Sequence, residues 1–331
     1  MPAIANNKFV IVGGASLLGS NIARQLLCAG AGTVVLLDNL SLGSPHAIED
    51  MLADPRCTFV RGDMLRLNEL LDAFKGTAGV FNVAGFLGGP LLANPWMGLD
   101  VNVRGFQNVL EAARVQGVEK VIFSSSMGVY GRITAQPCTE DAPFDWNGLG
   151  TGLALYSGTK IVGEGLCQHY HTQYGLGYAA LRYSNLYGEN QHRRAIDATR
   201  IVNAWERIRA GEPPVIEGDG TNVADFIYIG DAARANLAAM EAHENGAYNI
   251  TSGVDTPFNT LIAALLKACG SDLVPQYRAD AARIANPVVT RIGASNDKAR
   301  RELGWVPEVD IEEGMRRLVA WLDRERATGR I

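Results

Sequence analysis

The chain has 331 residues, 47% hydrophobic and 20% charged, enough for one large α/β domain or a domain with a smaller lobe. Its formal net charge of −5 gives no general attraction to nucleic acid or anionic membrane, so neither partner is expected. No stretch reaches the roughly 18 apolar residues that span a bilayer, and residues 1–8 lack a charged-then-apolar leader, so a cytoplasmic protein is expected.

From Lys8 to Tyr183 short apolar runs alternate with amphipathic stretches. Strands are expected at 9–12, 33–37, 58–60, 79–83, 121–124 and 178–181, each apolar and rich in β-branched or aromatic residues, as suits strands buried on both faces. Helices are expected between them at 18–29, 67–74, 101–115 and 156–174. This alternation predicts an α/β fold, a Rossmann-type doubly wound parallel sheet. After Tyr183 the regularity loosens. Pro213-Pro214 and Gly218-Asp219-Gly220 mark turns, a short strand is expected at 247–250, and helices at 258–269 and 311–324. Residues 1–183 are therefore assigned mainly to the sheet domain. Residues 184–331 are assigned mainly to a smaller C-terminal α/β substrate lobe over its carboxyl edge, with some chain crossing back.

The first strand runs straight into Gly13-Gly14-Ala15-Ser16-Leu17-Leu18-Gly19. Glycine there lets the backbone turn tightly and approach a pyrophosphate seated on the following helix N-terminus. Asp38 ends the second strand, where a carboxylate accepts hydrogen bonds from both ribose hydroxyls of NAD and repels the 2′-phosphate of NADP. A plain turn residue before Asn39 is the alternative, and the glycine cluster at this spacing favours the cofactor. Gly62-Asp63-Met64 and Val83-Ala84-Gly85 follow the third and fourth strands to the same edge, with Asp63 placed toward an adenine amino group.

Tyr156 and Lys160 are four apart on an expected helix, so they project from one face one turn apart. A phenol has a pKa near about 10, and a neighbouring ammonium favours the phenolate. The fifth strand ends in Ser124-Ser125-Ser126, three hydroxyls that a buried strand does not need. Together these residues supply a general base, a group that tunes it and a hydroxyl for the substrate oxygen, the parts needed to oxidise a carbinol. His169 and His171 lie two apart on one helix and point in different directions, so no metal is expected. The five scattered cysteines form no Cys-x-x-Cys pair and read as free thiols.

In these motifs the chain resembles the extended short-chain dehydrogenase/reductases, in particular the NAD-dependent epimerase/dehydratase family of UDP-glucose 4-epimerase type. The resemblance runs through Val12 to Gly19, Leu37-Asp38-Asn39-Leu40-Ser41, Gly62-Asp63-Met64 and Asn102-Val103-Arg104-Gly105. It continues in Ser124 to Gly131, Tyr156-Ser157-Gly158-Thr159-Lys160, Leu181 to Gly188, Asp225 to Ile229 and Leu303 to Pro307. It implies NAD held by Gly13, Ser16, Leu17, Leu18 and Gly19, by Asp38, Asn39, Leu40 and Ser41, and by Asp63 and Met64. It adds Val83, Ala84 and Gly85, then Asn102, Ser124, Tyr156, Lys160 and Tyr183. Ser126 is implied as the catalytic hydroxyl that binds substrate, Tyr156 as acid/base with Lys160 beside it, and Asn185 toward the substrate's phosphates. A homodimer through the helices near 101–115 and 156–174 is also implied. Gly163 and Gly165 in the second of these weaken it by about 1 kcal/mol each relative to alanine, which close packing would explain.

The sequence departs from the family pattern in three places. Ser16 replaces the middle glycine of the first loop, and is expected to fit if its backbone is helical. Ala224 stands where an Arg-Asp-Phe motif places its diphosphate-binding arginine, a contact worth roughly 1.5–3 kcal/mol. Arg291 and the Arg193-Arg194 pair beside His192 are the candidates to replace it. The segment from Tyr130 to Tyr156, with Trp146 and Gly148, Gly150 and Gly152, is long and reads either as a substrate-shaping loop or as a surface excursion. Related 4,6-dehydratases carry Asp-Glu directly after the catalytic hydroxyl. Met127-Gly128 stand there instead, so water elimination is not expected. Three readings follow: a nucleotide-sugar epimerase, an NAD-dependent dehydrogenase or reductase of a smaller or non-nucleotide alcohol, and a non-catalytic NAD-binding protein. The intact Tyr156, Lys160 and Ser126 argue against the last.

Overall fold

A computed structural model of the chain describes residues 2–133, 136–191, 196–279 and 291–331. The first half consists of β1 (Lys8–Val12), α1 (Leu17–Cys28), β2 (Thr33–Asp38), β3 (Cys57–Arg61), α2 (Leu67–Ala73) and β4 (Gly79–Asn82). Then come α3 (Gly88–Ala93), α4 (Pro95–Leu99), a π-helical link Asp100–Gly105, α5 (Phe106–Gln116), β5 (Lys120–Ser126), α6 (Thr151–Tyr174) and β6 (Gly177–Tyr183). The second half begins with β7 (Asn185–Tyr187), α7 (Ile196–Arg209), β8 (Val215–Glu217), β9 (Val223–Ala224), β10 (Phe226–Tyr228) and α8 (Ile229–Glu241). It ends with β11 (Gly246–Ile250), β12 (Thr256–Pro257), α9 (Phe258–Cys269), β13 (Gln276–Arg278), α10 (Asp297–Leu303) and α11 (Ile311–Ala327).

Among the described residues seven strands form one sheet in the order β11-β6-β5-β4-β1-β2-β3, with every neighbouring pair parallel. The two-residue period of a strand explains why the runs are apolar throughout. Phe9 and Ile11 of β1 enter a core with Ile22, Leu26 and Met240 on one side, while Val10 and Val12 pack with Phe106, Leu110 and Phe123 on the other. Chain order reverses between β1 and β4, which opens a crevice beyond their carboxyl ends.

The structure departs from the sequence reading at several element boundaries and in one sheet assignment. The strand at 247–250, counted with the second lobe, is β11 and pairs with β6 from Gly246↔Ala179 to Ile250↔Tyr183. A short apolar strand carries no local mark of which sheet it joins. The helix bearing Tyr156 starts earlier than expected, at Thr151, and the Leu92 side chain packs against Gly152 in its first turn. The fifth strand runs on through all three serines, which pair with Leu181, Arg182 and Tyr183 of β6. Three small two-stranded ribbons, β7 with β10, β9 with β12 and β8 with β13, lie outside the main sheet, and α9 packs on α7 and α11. The His192-Arg193-Arg194 cluster lies outside the described residues.

Gly163 and Gly165 now separate. A methyl at Gly163 would lie 2.3 Å from Phe123 Cζ, and that ring is stacked on Phe106 with centroids 4.2 Å apart. At Gly165 nothing lies within 4 Å. Gly165→Ala should therefore stabilise the chain by about 1 kcal/mol, and Gly163→Ala should destabilise it by about 1–3 kcal/mol through overpacking. Urea midpoints moving the same way for both variants would contradict this account.

Candidate active site

The loop after β1 is shaped by contacts that exclude side chains. Gly13 has φ +88°, and a methyl there would lie 2.8 Å from the backbone N of Ala84, while one at Gly14 would lie 2.7 Å from Leu36 Cβ. Ser16 corrects the helical expectation: its backbone is extended at φ −90° and ψ 172°, which serine adopts without strain, and it is the N-cap of α1. Its hydroxyl donates to Gly13 O at 2.7 Å and accepts from Gly19 N at 3.1 Å, closing the loop on itself. Leu17 is the first residue of α1 and Leu18 is buried beneath it.

Asp38 is buried at the end of β2. Its carboxylate accepts from Ala15 N at 3.0 Å and from Leu40 N at 2.8 Å, so it joins the glycine loop to its own turn. Leu40 adopts φ +61°, and Ser41 N donates to Asn39 Oδ1. Asn39 Nδ2 reaches Asp63 Oδ2 at 3.3 Å, which brings the ends of β2 and β3 together, with Met64 buried behind them. Val83 and Ala84 both donate their backbone N–H to Val12 O, extending β4 to the crevice.

Asn102 joins this crevice to α6. Its Oδ1 accepts from Phe86 N at 2.7 Å, and its Nδ2 donates to Phe86 O at 3.0 Å and to Thr159 Oγ1 at 3.2 Å. A methyl built on Gly85 would sit 3.3 Å from Asn102 Oδ1 and 3.6 Å from Lys160 Nζ, so the three residues converge. Lys160 is buried, donates to Ser124 O at 2.8 Å and lies 5.6 Å from the centre of the Tyr156 ring. Burial lowers its pKa to about 8, against a smaller upward pull from Glu164. Ser126 Oγ accepts from Gly128 N at 3.0 Å, and Ser157 Oγ donates to Gly128 O at 2.6 Å, tying the turn after the serine run to the residue beside Tyr156. Tyr183 is buried with its hydroxyl accepting from Asn236 Nδ2 at 2.8 Å, and burial pushes its pKa up.

Beneath these groups lies a buried ion pair to which the sequence reading assigned no role. Arg182 of β6 donates through Nε and Nη2 to the two oxygens of Glu164, at 2.9 and 2.7 Å. Its Nη1 donates to the Tyr130 hydroxyl at 2.6 Å and to Glu140 O at 3.0 Å. Ser125 Oγ donates to Glu164, and the Tyr130 hydroxyl donates to Asn249 Oδ1 at 2.7 Å. Burial opposes the charge of Arg182, yet Glu164 holds its pKa above the ordinary guanidinium value. One signal was available: Tyr156, Lys160 and Glu164 recur at intervals of four, the spacing of one helix face.

The long segment after Tyr130 is anchored. Gly131 bridges to Asp145, and Phe144 lies against Tyr130 and the Arg182 guanidinium. A methyl on Gly158 would lie 3.2 Å from the Trp146 ring. In the second half, Asn185 donates from both its backbone N and its Nδ2 to Asp225 O, at 3.1 and 2.9 Å. Asn185 shares a small groove with Arg200, Ala224, Phe226, Phe258 and Leu261. Arg291 stands exposed and is not among the lining residues of that groove.

Residues 9–251 match the family described as NAD dependent epimerase/dehydratase. The chain is 34% identical over 325 residues to a putative UDP-glucose 4-epimerase of Methanocaldococcus jannaschii, covering 96% of this chain and 99% of the relative. Its structure is similar to that of UDP-glucose 4-epimerase from Thermotoga maritima with UDP-glucose, at TM-score 0.84 and 28% identity over 96% of this chain and 99% of that one. A Thermus thermophilus UDP-glucose 4-epimerase in complex with NAD is similar at TM-score 0.81 and 28% identity, again over 96% and 99%.

The depressed pKa of Lys160 has a sign that can be measured. The unfolded chain binds this proton up to the ordinary lysine value of 10.5, the ligand-free folded chain only up to about 8. Between those values the unfolded state carries more protons, so the contribution of Lys160 to stability rises with pH. The stability of Lys160→Met relative to the unsubstituted protein should therefore be greater at about pH 7 than at about pH 10. A difference in urea stability that stays constant across that range would show that Lys160 titrates normally.

Proposed function

Since the chain belongs to the NAD-dependent epimerase/dehydratase family, within the extended short-chain dehydrogenase/reductases, we propose that it is a nucleotide-sugar epimerase working through a transient keto sugar. The observation that carries this reading is the Lys160 hydrogen bond to Ser124 O, which joins the Tyr156 helix to the serine run beside the sheet crevice.

The crevice suits NAD in shape and charge. Gly13 and Gly14 leave no room for a side chain, so the backbone itself forms the surface that meets the pyrophosphate at the start of α1. Asp38 ends β2 where a ribose would be held, with Asn39, Leu40, Ser41, Asp63 and Met64 toward the adenine end. Val83, Ala84, Gly85 and Tyr183 would border the nicotinamide end. NAD, when bound, supplies a reversible acceptor for hydride from the sugar carbon.

Tyr156 takes the proton from the sugar hydroxyl and returns it once the keto sugar has presented its other face. The Lys160 ammonium favours the phenolate this step requires. Ser126 Oγ holds the reacting oxygen, oriented by its own bond from Gly128 N. Asn102 keeps the Phe86 loop and Thr159, the neighbour of Lys160, in register. Asn185 and Arg291 would contact the substrate. A homodimer through α5 and α6 belongs to the same proposal, supported by exposed Val115, Val162 and Tyr174 on those helices.

Ala224 favours one second reading, an NAD-dependent dehydrogenase of an alcohol without a diphosphate. Interconversion of UDP-glucose and UDP-galactose without net NADH supports the epimerase, and net NADH release from a simple alcohol supports the alternative. Tyr156→Phe should lower kcat by about 10²–10⁴-fold, the usual share of a positioned acid/base, while NAD fluorescence titration stays near the unsubstituted value. Turnover surviving that change would remove Tyr156 from the mechanism.

A further inference from the structure

The groove beside Asn185 holds a cation that the motif pattern does not anticipate. Arg200 enters it from α7, and Ala224 enters it from β9, where it pairs with Thr256 of β12. The Arg200 guanidinium carbon lies 5.3 Å from the centre of the Phe258 ring, on the first residue of α9, and the residue is exposed to solvent. Among the described residues its lining comprises one guanidinium, one amide and four apolar side chains, with no carboxylate. Such a lining carries net positive charge and attracts an anion.

A small residue at 224 and a long cation at 200 depend on each other. Two guanidinium groups in so small a groove would repel, whereas alanine at 224 leaves the space to Arg200. An aromatic face supports a guanidinium while its N–H groups remain available for a planar or tetrahedral oxyanion. We propose that Arg200 binds the diphosphate of the substrate, performing from α7 the task that an arginine at position 224 would perform from β9. This assignment rests on the nucleotide-sugar reading above and identifies the residue that fixes that substrate class in this chain.

The test is isothermal titration of the NAD-loaded protein with UDP and, separately, with uridine. Arg200→Met should weaken UDP binding by roughly tenfold or more, the usual effect of losing a charge-assisted phosphate contact, and leave uridine binding unchanged. Adding Ala224→Arg to Arg200→Met should recover most of the lost UDP affinity. Undiminished UDP binding by Arg200→Met would overturn the assignment while leaving the nucleotide-sugar reading in place. So would an equal loss for UDP and uridine, which would mark a damaged groove. If the unsubstituted protein bound neither ligand, the nucleotide-sugar reading would fall and this assignment with it.

Discussion

Two opposite charges taken out of water cost more than they return unless nearly every donor and acceptor is satisfied. Arg182 and Glu164 meet that condition, with side chains only 6% and 13% exposed. Four donor contacts leave Arg182, two to Glu164, one to Tyr130 and one to Glu140 O, and Ser125 adds a further donor to the carboxylate. The pair therefore joins α6 to β6 and, through Ser125, to β5. Through Tyr130 and Asn249 it extends to β11 and to the long segment after the serine run. The helix that carries Tyr156 and Lys160 is held at a set height above the strand that carries Ser126. A network this connected permits few alternative arrangements, since loosening one member strands a buried charge.

The parallel sheet determines what that rigidity is used for. All seven strands end at the same edge, so the glycine loop after β1, Asp38 at the end of β2, the Val83–Ala84 turn after β4 and Ser126 at the end of β5 gather on one side without long connections. Asn102 then links the β4 loop to α6, making the sheet crevice and the helix of Tyr156 and Lys160 one structure. Substitution of the middle glycine is tolerated for a local reason. Ser16 sits in extended backbone and uses its hydroxyl as a helix cap, so the loop keeps its closure without a third glycine at that point.

Features set by neighbours in sequence were legible from the chain. The alternation of apolar runs placed the first six strands of the sheet, and the four-residue spacing placed Tyr156 and Lys160 on one helix face. The features that escaped depend on distant partners. β11 resembles any short apolar strand until it pairs with β6. Glu164 and Arg182 lie in different elements, and either alone reads as a surface charge. Arg200 and Ala224 lie in different elements, and only the tertiary fold brings both to the lining of one groove.

Residue type and spacing alone thus determined the fold class, the glycine loop, the carboxylate at the end of the second strand and the placing of Tyr156 and Lys160 on one helix face, because each is read over a few residues by backbone geometry and periodicity. The tertiary structure decided which groups those elements face. It buried Lys160 against Ser124 O, matched Arg182 to Glu164, and put Arg200 rather than Arg291 in the groove beside Ala224. Contacts between residues far apart in the chain follow from how the helices pack on the sheet, and no local pattern encodes that packing.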